Sequence, residues 1–534
     1  SSPHPLTARR ACRDAWRVRN TATAGGPGRA VARSNTGEVT RSGRAVAGVA
    51  AAGLGTAAGQ VLGSLISPAS APLQAVGAAV IDLAPTGLKE WAVATVGTAD
   101  KPLLLATVLV AVCGLGALAG LGAGGRPLTG DLVFIALGVI GAAAAVTRPA
   151  AGPWGILPSV VAAAVAIGTL RWQLGWDRRS SSGTPKGFDR RLLLTGGAGV
   201  LGAVATAGLP AARTATPTSS GPSIPRPEST ASAFPSGLER TVPGISPLRT
   251  PVPDFYRIDT ALFLPQLDPA GWQLSVTGMV ANPFTLTWDE LVAMPLIERD
   301  VTLTCVSNEI GGPYCGSTRW TGVRVADLLE RAQPSAAAEQ VLSTSADGFT
   351  ASTPLRALLD GRDAMIAIAM DGQPLTREHG FPARLLTPGL YGYVGATKWL
   401  TQLKLTTFAA DEAYWTVRGW AEQAPVKTAT RIDVPRGPVP AGATVIAGVA
   451  WATHRGTSRV QVQIDGEQWQ DARLGPDVGL DYWRQWYLPW DAPAGRHRLA
   501  ARAYDGTGVP QTPQVQGVLP DGATGYHVVE VQVG

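Results

Sequence analysis

Leu303-Thr304-Cys305-Val306-Ser307-Asn308-Glu309-Ile310-Gly311-Gly312 follows directly on Val301-Thr302. The β-branched run Val301-Thr302-Leu303-Thr304 reads as a strand. Asn308 and the glycines beyond it read as a tight loop. Cys305 therefore stands where a strand gives way to a turn, a place from which sulfur can reach a soft metal. Taken alone, the thiol reads as a small buried residue, the usual lot of a free cysteine.

A second stretch changes that reading. It runs Glu378-His379-Gly380-Phe381-Pro382-Ala383-Arg384, then Pro388-Gly389, then Gly395-Ala396-Thr397-Lys398-Trp399-Leu400. With the Cys305 loop, and in this order and spacing, these residues resemble the sulfite oxidase family of molybdopterin enzymes. The resemblance covers about residues 245–534. It implies an α+β sulfite-oxidase-like molybdopterin domain, followed by an immunoglobulin-like β-sandwich of the dimerisation type.

The resemblance also implies a cofactor, molybdenum held by the dithiolene of molybdopterin and by one protein thiolate, Cys305. Thiolate suits such a centre because it is soft and donates charge. Arg384 and Lys398 match the positions at the pterin phosphate, where arginine offers a paired fork and lysine a point charge. His379 matches a pterin-contacting histidine. Tyr256, Gly395 and Thr397 fall at further cofactor contacts, Gly395 by allowing close backbone approach. Asp347, in Asp347-Gly348-Phe349, matches a pterin-binding segment and reads equally as an ordinary turn aspartate. Arg257, in Phe255-Tyr256-Arg257-Ile258-Asp259, is the counterpart of an arginine near the metal and reads equally as a surface residue. Asn308 lies near the metal by spacing. Cys305, Arg257 and Asn308 are thus the expected catalytic groups. Tyr391, Tyr393, Tyr414, Trp415 and Arg418 are candidates for the pocket wall.

Two departures matter. Ile258-Asp259 replaces the family's Asn-His. Ile310, preceded by Glu309, stands where animal and plant sulfite oxidases carry a basic residue five positions beyond the cysteine. A sulfite dianion needs a positive field there. The expected reaction is therefore oxygen-atom transfer to or from a small sulfur- or nitrogen-containing substrate. A true sulfite oxidase and a cofactor-free extracellular binding module are the alternatives.

The first half of the chain has a different composition. Arginines crowd residues 9–44 and 171–191, bracketing apolar stretches. That pattern argues against nucleic acid and for a membrane. Residues 1–44 read as a disordered basic cytoplasmic tail. Helices are expected near 45–66, 102–122, 131–147, 155–171 and 192–210, each close to the ~20 residues that span a bilayer. The interrupted stretch 72–98 suits an interfacial or re-entrant piece. The positive-inside rule puts the tail and the 171–191 loop in the cytoplasm, and everything after residue 210 outside.

Gly197-Ala198-Gly199-Val200-Leu201-Gly202 matches G-x-G-x-x-G but lacks the βαβ context and the following acid of a dinucleotide fold. Asp189-Arg190-Arg191-Leu192 reads either as two positive-inside arginines or as a weak twin-arginine export signal. Residues 211–250 read as a Pro/Ser/Thr linker, 251–425 as the catalytic domain and 426–534 as the sandwich. Cysteines at 11, 113, 305 and 315 give no zinc or haem-attachment spacing. Histidines at 4, 379, 454, 497 and 527 lie outside every expected span. Electrons must then pass to or from a separate partner, and the family implies a homodimer.

Overall fold

The computed structural model describes residues 40–85, 88, 95, 100–124, 126–148, 151–175, 197–198, 201–206, 222–262 and 264–534. Among the described residues an N-terminal bundle includes five helices: α1 (Arg41–Ile66), α2 (Pro72–Leu83), α3 (Asp100–Ala123), α4 (Pro127–Val146) and α5 (Leu157–Leu174). All but α2 are long and apolar enough to cross a membrane. At 1.5 Å per residue α2 is about 18 Å long, too short for a ~30 Å hydrocarbon core. The helix α1 starts at Arg41, inside the stretch expected as tail. The fifth expected span, 192–210, falls mostly outside the described residues; the twin-arginine segment lies wholly outside them, and the G-x-G-x-x-G segment does so at residues 199 and 200.

Small residues set the bundle's packing. A Cβ on Gly48 of α1 would lie 1.9 Å from the Gly116 carbonyl oxygen of α3, and one on Gly120 would lie 2.0 Å from the Arg44 carbonyl oxygen. Gly116 and Gly120 are four apart on one helical face, so the two backbones touch directly.

The strands β1 (Gln273–Gly278), β2 (Phe284–Thr287), β3 (Leu296–Thr304), β4 (Cys315–Arg324) and β5 (Gln340–Ser345) open the next region. They are followed by β6 (Thr350–Pro354), β7 (Met365–Met370), β8 (Gln373–Pro374), β9 (Arg384–Leu386) and β10 (Leu400–Thr406). One sheet runs β2-β1-β10-β5-β6, with β1 and β10 parallel. The other runs β3-β4-β7-β8, with β9 on β7. Leu274, Leu403, Val323 and Ile366 share one buried core with the helix Val325–Ala332. The short helices Trp288–Val292, Val325–Ala332 and Leu355–Leu359 supply Leu291, Leu328 and Leu358 to that core. The first carries a full capping box, Thr287 with Glu290.

Eight further strands follow: β11 (Ala429–Val434), β12 (Gly442–Trp451), β13 (Thr457–Ile464), β14 (Gln470–Asp471), β15 (Arg473–Leu474), β16 (Arg484–Ala492), β17 (Gly495–Asp505) and β18 (His527–Val533). They make two antiparallel sheets, β11-β12-β16-β15 and β14-β13-β17-β18. Ile446, Trp486 and Leu488 of the first sheet pack with Val460, Leu499 and Val531 of the second.

The expected linker is partly a strap. Over residues 228–250 the chain binds both neighbours: Ser229 bridges Ile297, Leu238 donates to Gln485, and Ser246 donates to Asp433. The indole of Trp483 in turn donates to the Leu248 carbonyl. Its proline and serine content hid this, because the bonds are made mostly by backbone groups.

Candidate active site

The β3–β4 hairpin positions Cys305. Thr304 pairs with Cys315, and the Cys305 amide donates to the Tyr314 carbonyl at 2.9 Å. Asn308 Oδ1 accepts from the Tyr314 amide at 2.8 Å, so this side chain braces its own loop. The amides of Val306 and Ser307 and the Ser307 hydroxyl turn toward the Cys305 sulfur. Burial raises the thiol above its ordinary value, while these donors and Lys398 oppose the rise. Such a cradle favours thiolate once a cation is at hand.

A second structural unit brings three residues together from the motif around residue 380. Leu385 and Thr397 exchange backbone hydrogen bonds, and the Leu400 amide donates to Ala383. The chain doubles back there, setting His379, Arg384 and Lys398 side by side. Gly380 has φ of +106°, and a Cβ there would press on Lys398 at 3.0 Å. Glycine is thus required for the close approach.

Both units open onto one cleft of about 140 Å³. One water needs roughly 10–15 Å³ on this scale, so the space holds far more than a packing void. Its lining includes Cys305, Tyr256, Asp347, His379, Arg384 and Lys398, together with an aromatic side made by Phe349, Tyr393, Trp415 and Trp420. Arg257, Asn308, Gly395 and Thr397 do not line it. Arg257 points to Asp259 and is well exposed. Gly395 packs on Leu390 and Thr387, and Thr397 is bonded to Ser343. Tyr414 and Arg418 turn to Asp82 at the end of α2, and Tyr391 hydrogen-bonds the Lys427 amide. Asp347 does both things the sequence allows: it lines the cleft and caps a turn by accepting from the Phe349 amide. Burial pushes its carboxyl up.

The cleft's charges are unusual. Arg384 is 7% exposed, its Nη1 donates to the His379 carbonyl at 3.2 Å, and its buried Nε has no hydrogen-bond partner among the described residues. Burial lowers it to about 10, so it is still charged at neutral pH. Burial, with Arg384 and Lys398 nearby, lowers His379 to about 4 and keeps the ring neutral. Burial lowers Lys398 to about 8 against the pull of Asp259, 2.8 Å away. Burial alone would raise Asp259, but Lys398, Lys101 and Arg257 outweigh it and hold the carboxyl well below its usual range.

Asp259 is the charged lining residue that sequence reasoning missed, and Trp420 the missed aromatic one. The position of Asp259 stood out only as a departure from the family's Asn-His. Two of its cationic partners, Lys101 and Lys398, come from segments too distant in sequence to be paired by spacing.

A buried guanidinium whose Nε lacks a partner among the described residues, beside a lysine, calls for an anion. A cradled thiol lining the same cleft calls for a soft metal. A phosphate-tailed metal pterin supplies both, so the residues fit that group.

Known proteins agree. Residues 261–415 match the oxidoreductase molybdopterin binding domain. Mitochondrial sulfite oxidase of Homo sapiens is 29% identical over 306 residues, 47% of this chain and 54% of that protein. The chain thus spans about half the human enzyme's length. The uncharacterized oxidoreductase YuiH of Bacillus subtilis (strain 168) is 34% identical over 139 residues, 26% of this chain and 67% of that protein. The sulfane dehydrogenase SoxCD of Paracoccus pantotrophus superposes with a TM-score of 0.44 at 24% identity, over 49% of this chain and 74% of that one. The cofactor of such a domain is molybdenum carried by molybdopterin. A soft-metal thiol, an anion-seeking arginine and this shared domain lead to one conclusion: the chain belongs to the sulfite oxidase family of molybdopterin-dependent oxidoreductases.

Proposed function

We propose that this chain is a membrane-anchored, extracytoplasmic oxidoreductase that moves an oxygen atom to or from a small sulfur- or nitrogen-containing substrate. The observation that carries the reading is the single cleft shared by Cys305, Arg384 and Lys398. When bound, the molybdenum pterin supplies the redox and oxygen-exchange chemistry. Cys305 is the metal's protein ligand, its negative charge offset by the amides of Val306 and Ser307. Arg384 and Lys398 hold the phosphate end. Neutral His379 and half-buried Tyr256 would contact the pterin. Phe349, Tyr393, Trp415 and Trp420 shed water from the substrate side. Arg257 and Asn308 act through what they brace, Asp259 and the Cys305 loop.

Two features favour a neutral substrate over sulfite. Among the lining residues the fixed cations are Arg384 and Lys398, both committed to the cofactor. Ile310 instead sets its Cδ1 2.9 Å from where a Cβ on Gly525 would lie, in contact with the C-terminal region.

The anchor is supported by four helices of spanning length and by the arginines at 171–191. The catalytic region touches the bundle at the start of α3 and the end of α2. Under the positive-inside orientation those ends face outward. The paired C-terminal sheets with a common core support an immunoglobulin-like domain, and a homodimer through it is what the family resemblance implies. Electrons then come from or go to a separate partner.

Full-length protein from a cofactor-competent host should carry close to one molybdenum per chain. It should turn over neutral S-oxides or N-oxides with an artificial electron donor. Cys305→Ser should keep the fold and lose turnover by several orders of magnitude. Molybdenum near zero in the folded wild type would favour the binding module, and unchanged turnover in Cys305→Ser would refute the assigned ligand.

A further inference from the structure

The apolar bundle reaches the edge of the cofactor cleft. At the start of α3, Lys101 Nζ lies 3.0 Å from Asp259 Oδ1 and donates to the Ala261 carbonyl at 2.5 Å. Asp259 lines the cleft, and its side chain is only 4% exposed. Its other oxygen, Oδ2, holds Lys398 Nζ and Arg257 Nε, each at 2.8 Å. The two carboxylate oxygens are thereby divided, one to the bundle and one to the cofactor side.

The division matters because of how Lys398 spends its donors. An ammonium has three N–H groups. Asp259 Oδ2 and the Glu378 carbonyl take two, at 2.8 and 2.9 Å. The third is left for an anion in the cleft.

We infer that Lys101 is a positioning residue for the cofactor, acting through Asp259 to keep Lys398 available to the pterin phosphate. This rests on the cleft being the molybdopterin site. Without Lys101, Oδ1 becomes a buried acceptor lacking its charge partner, a costly state. Lys398 is adjacent and can satisfy it, but only by turning a second donor away from the cleft. The bundle is then part of the cofactor's grip as well as a tether.

A second tie between the same two regions provides a control. Asp82, at the end of α2, accepts from Tyr414 Oη at 3.0 Å, and its carbonyl accepts from Arg418 at 3.1 Å. That tie does not involve Asp259.

The test uses the full chain, loaded with cofactor and held in lipid nanodiscs. Pterin and molybdenum retained per chain are followed during dialysis against inorganic phosphate. Lys101→Met should lose cofactor about ten to a hundred times faster than wild type, the scale on which partners behind a metal site act. Lys101→Gln, a milder variant that keeps a donor for the Ala261 carbonyl, should fall between. Lys101→Arg should restore retention, and Asp82→Asn should match wild type. Wild-type retention in both Lys101→Met and Lys101→Gln overturns the inference, and so does equally fast loss from Asp82→Asn. A folded wild type that takes up no cofactor overturns the reading of the cleft beneath it.

Discussion

The catalytic region and the C-terminal sandwich both bury charge, but they treat it in opposite ways. In the sandwich, Arg431 spends its guanidinium on Asp433 Oδ1 at 2.7 Å, the Gly312 carbonyl at 2.8 Å and Ser246 at 2.7 Å. Asp433, with its side chain 1% exposed, takes a further bond from the Ser246 amide. Asp505 likewise accepts from Arg455, Thr507 and Val509. In the cleft, Arg384 is as deeply buried and yet its Nε has no protein partner among the described residues. A buried charge that the fold satisfies is structural; one that the fold leaves short is waiting for a ligand.

The strongest way to break that contrast is to remove each arginine in turn. Arg431→Met strands Asp433 in the interior and cuts the link to the Cys305 hairpin through Gly312. It should destabilise the cofactor-free protein by about 3–5 kcal/mol, seen as a drop in melting temperature on the order of 10 °C. Arg384→Met removes a cation that nothing in the protein fully pairs. Cofactor-free stability should move by less than about 1 kcal/mol, while molybdenum bound per chain collapses. Equal melting shifts in the two variants would erase the distinction.

The sequence makes the two regions legible to different degrees. Cys305, His379, Arg384 and Lys398 can be found because short motifs carry them, and the fold brings those motifs to one cleft. Four of the expected apolar helices appear, since length and hydropathy are local properties. The Asp259 network is invisible from sequence because it joins residues 101, 259 and 398, whose meeting depends on tertiary structure. Arg257 and Asn308 sit beside the right residues in sequence, yet the backbone turns their side chains to Asp259 and Tyr314. The strap at 228–250 escapes notice for a related reason. A Pro/Ser-rich composition reports weak local preference and says nothing of a backbone held by its neighbours.

Protonation sharpens the contrast at lower energies. His379 has its folded value lowered to about 4 by burial and by Arg384 and Lys398. The unfolded chain binds a proton below about 6.5. Between those limits the unfolded state holds more protons, so stability falls as pH drops from 6.5 to 4. The full loss is roughly 3 kcal/mol by the conversion of pKa difference to free energy. Denaturant unfolding of the cofactor-free chain at pH 7, 5.5 and 4 measures it, and His379→Gln should flatten the slope.

The smallest effect expected is at His497 in the sandwich, and its sign is reversed. Both ring nitrogens meet oxygens, Asp465 Oδ2 at 2.7 Å and the Pro493 carbonyl at 2.9 Å. Two acceptors suit a ring with two N–H groups, so the folded value is raised, first by the Asp465 hydrogen bond. A raised base stabilises the fold fully below its unfolded value and loses that contribution as pH climbs through the folded one. His497→Asn should therefore cost more stability at pH 6 than at pH 9, whereas His379→Gln should gain relative to wild type as pH falls. If the two histidines shift stability in the same direction, solvent is reaching both rings alike, and the division between satisfied and waiting charge does not extend to them.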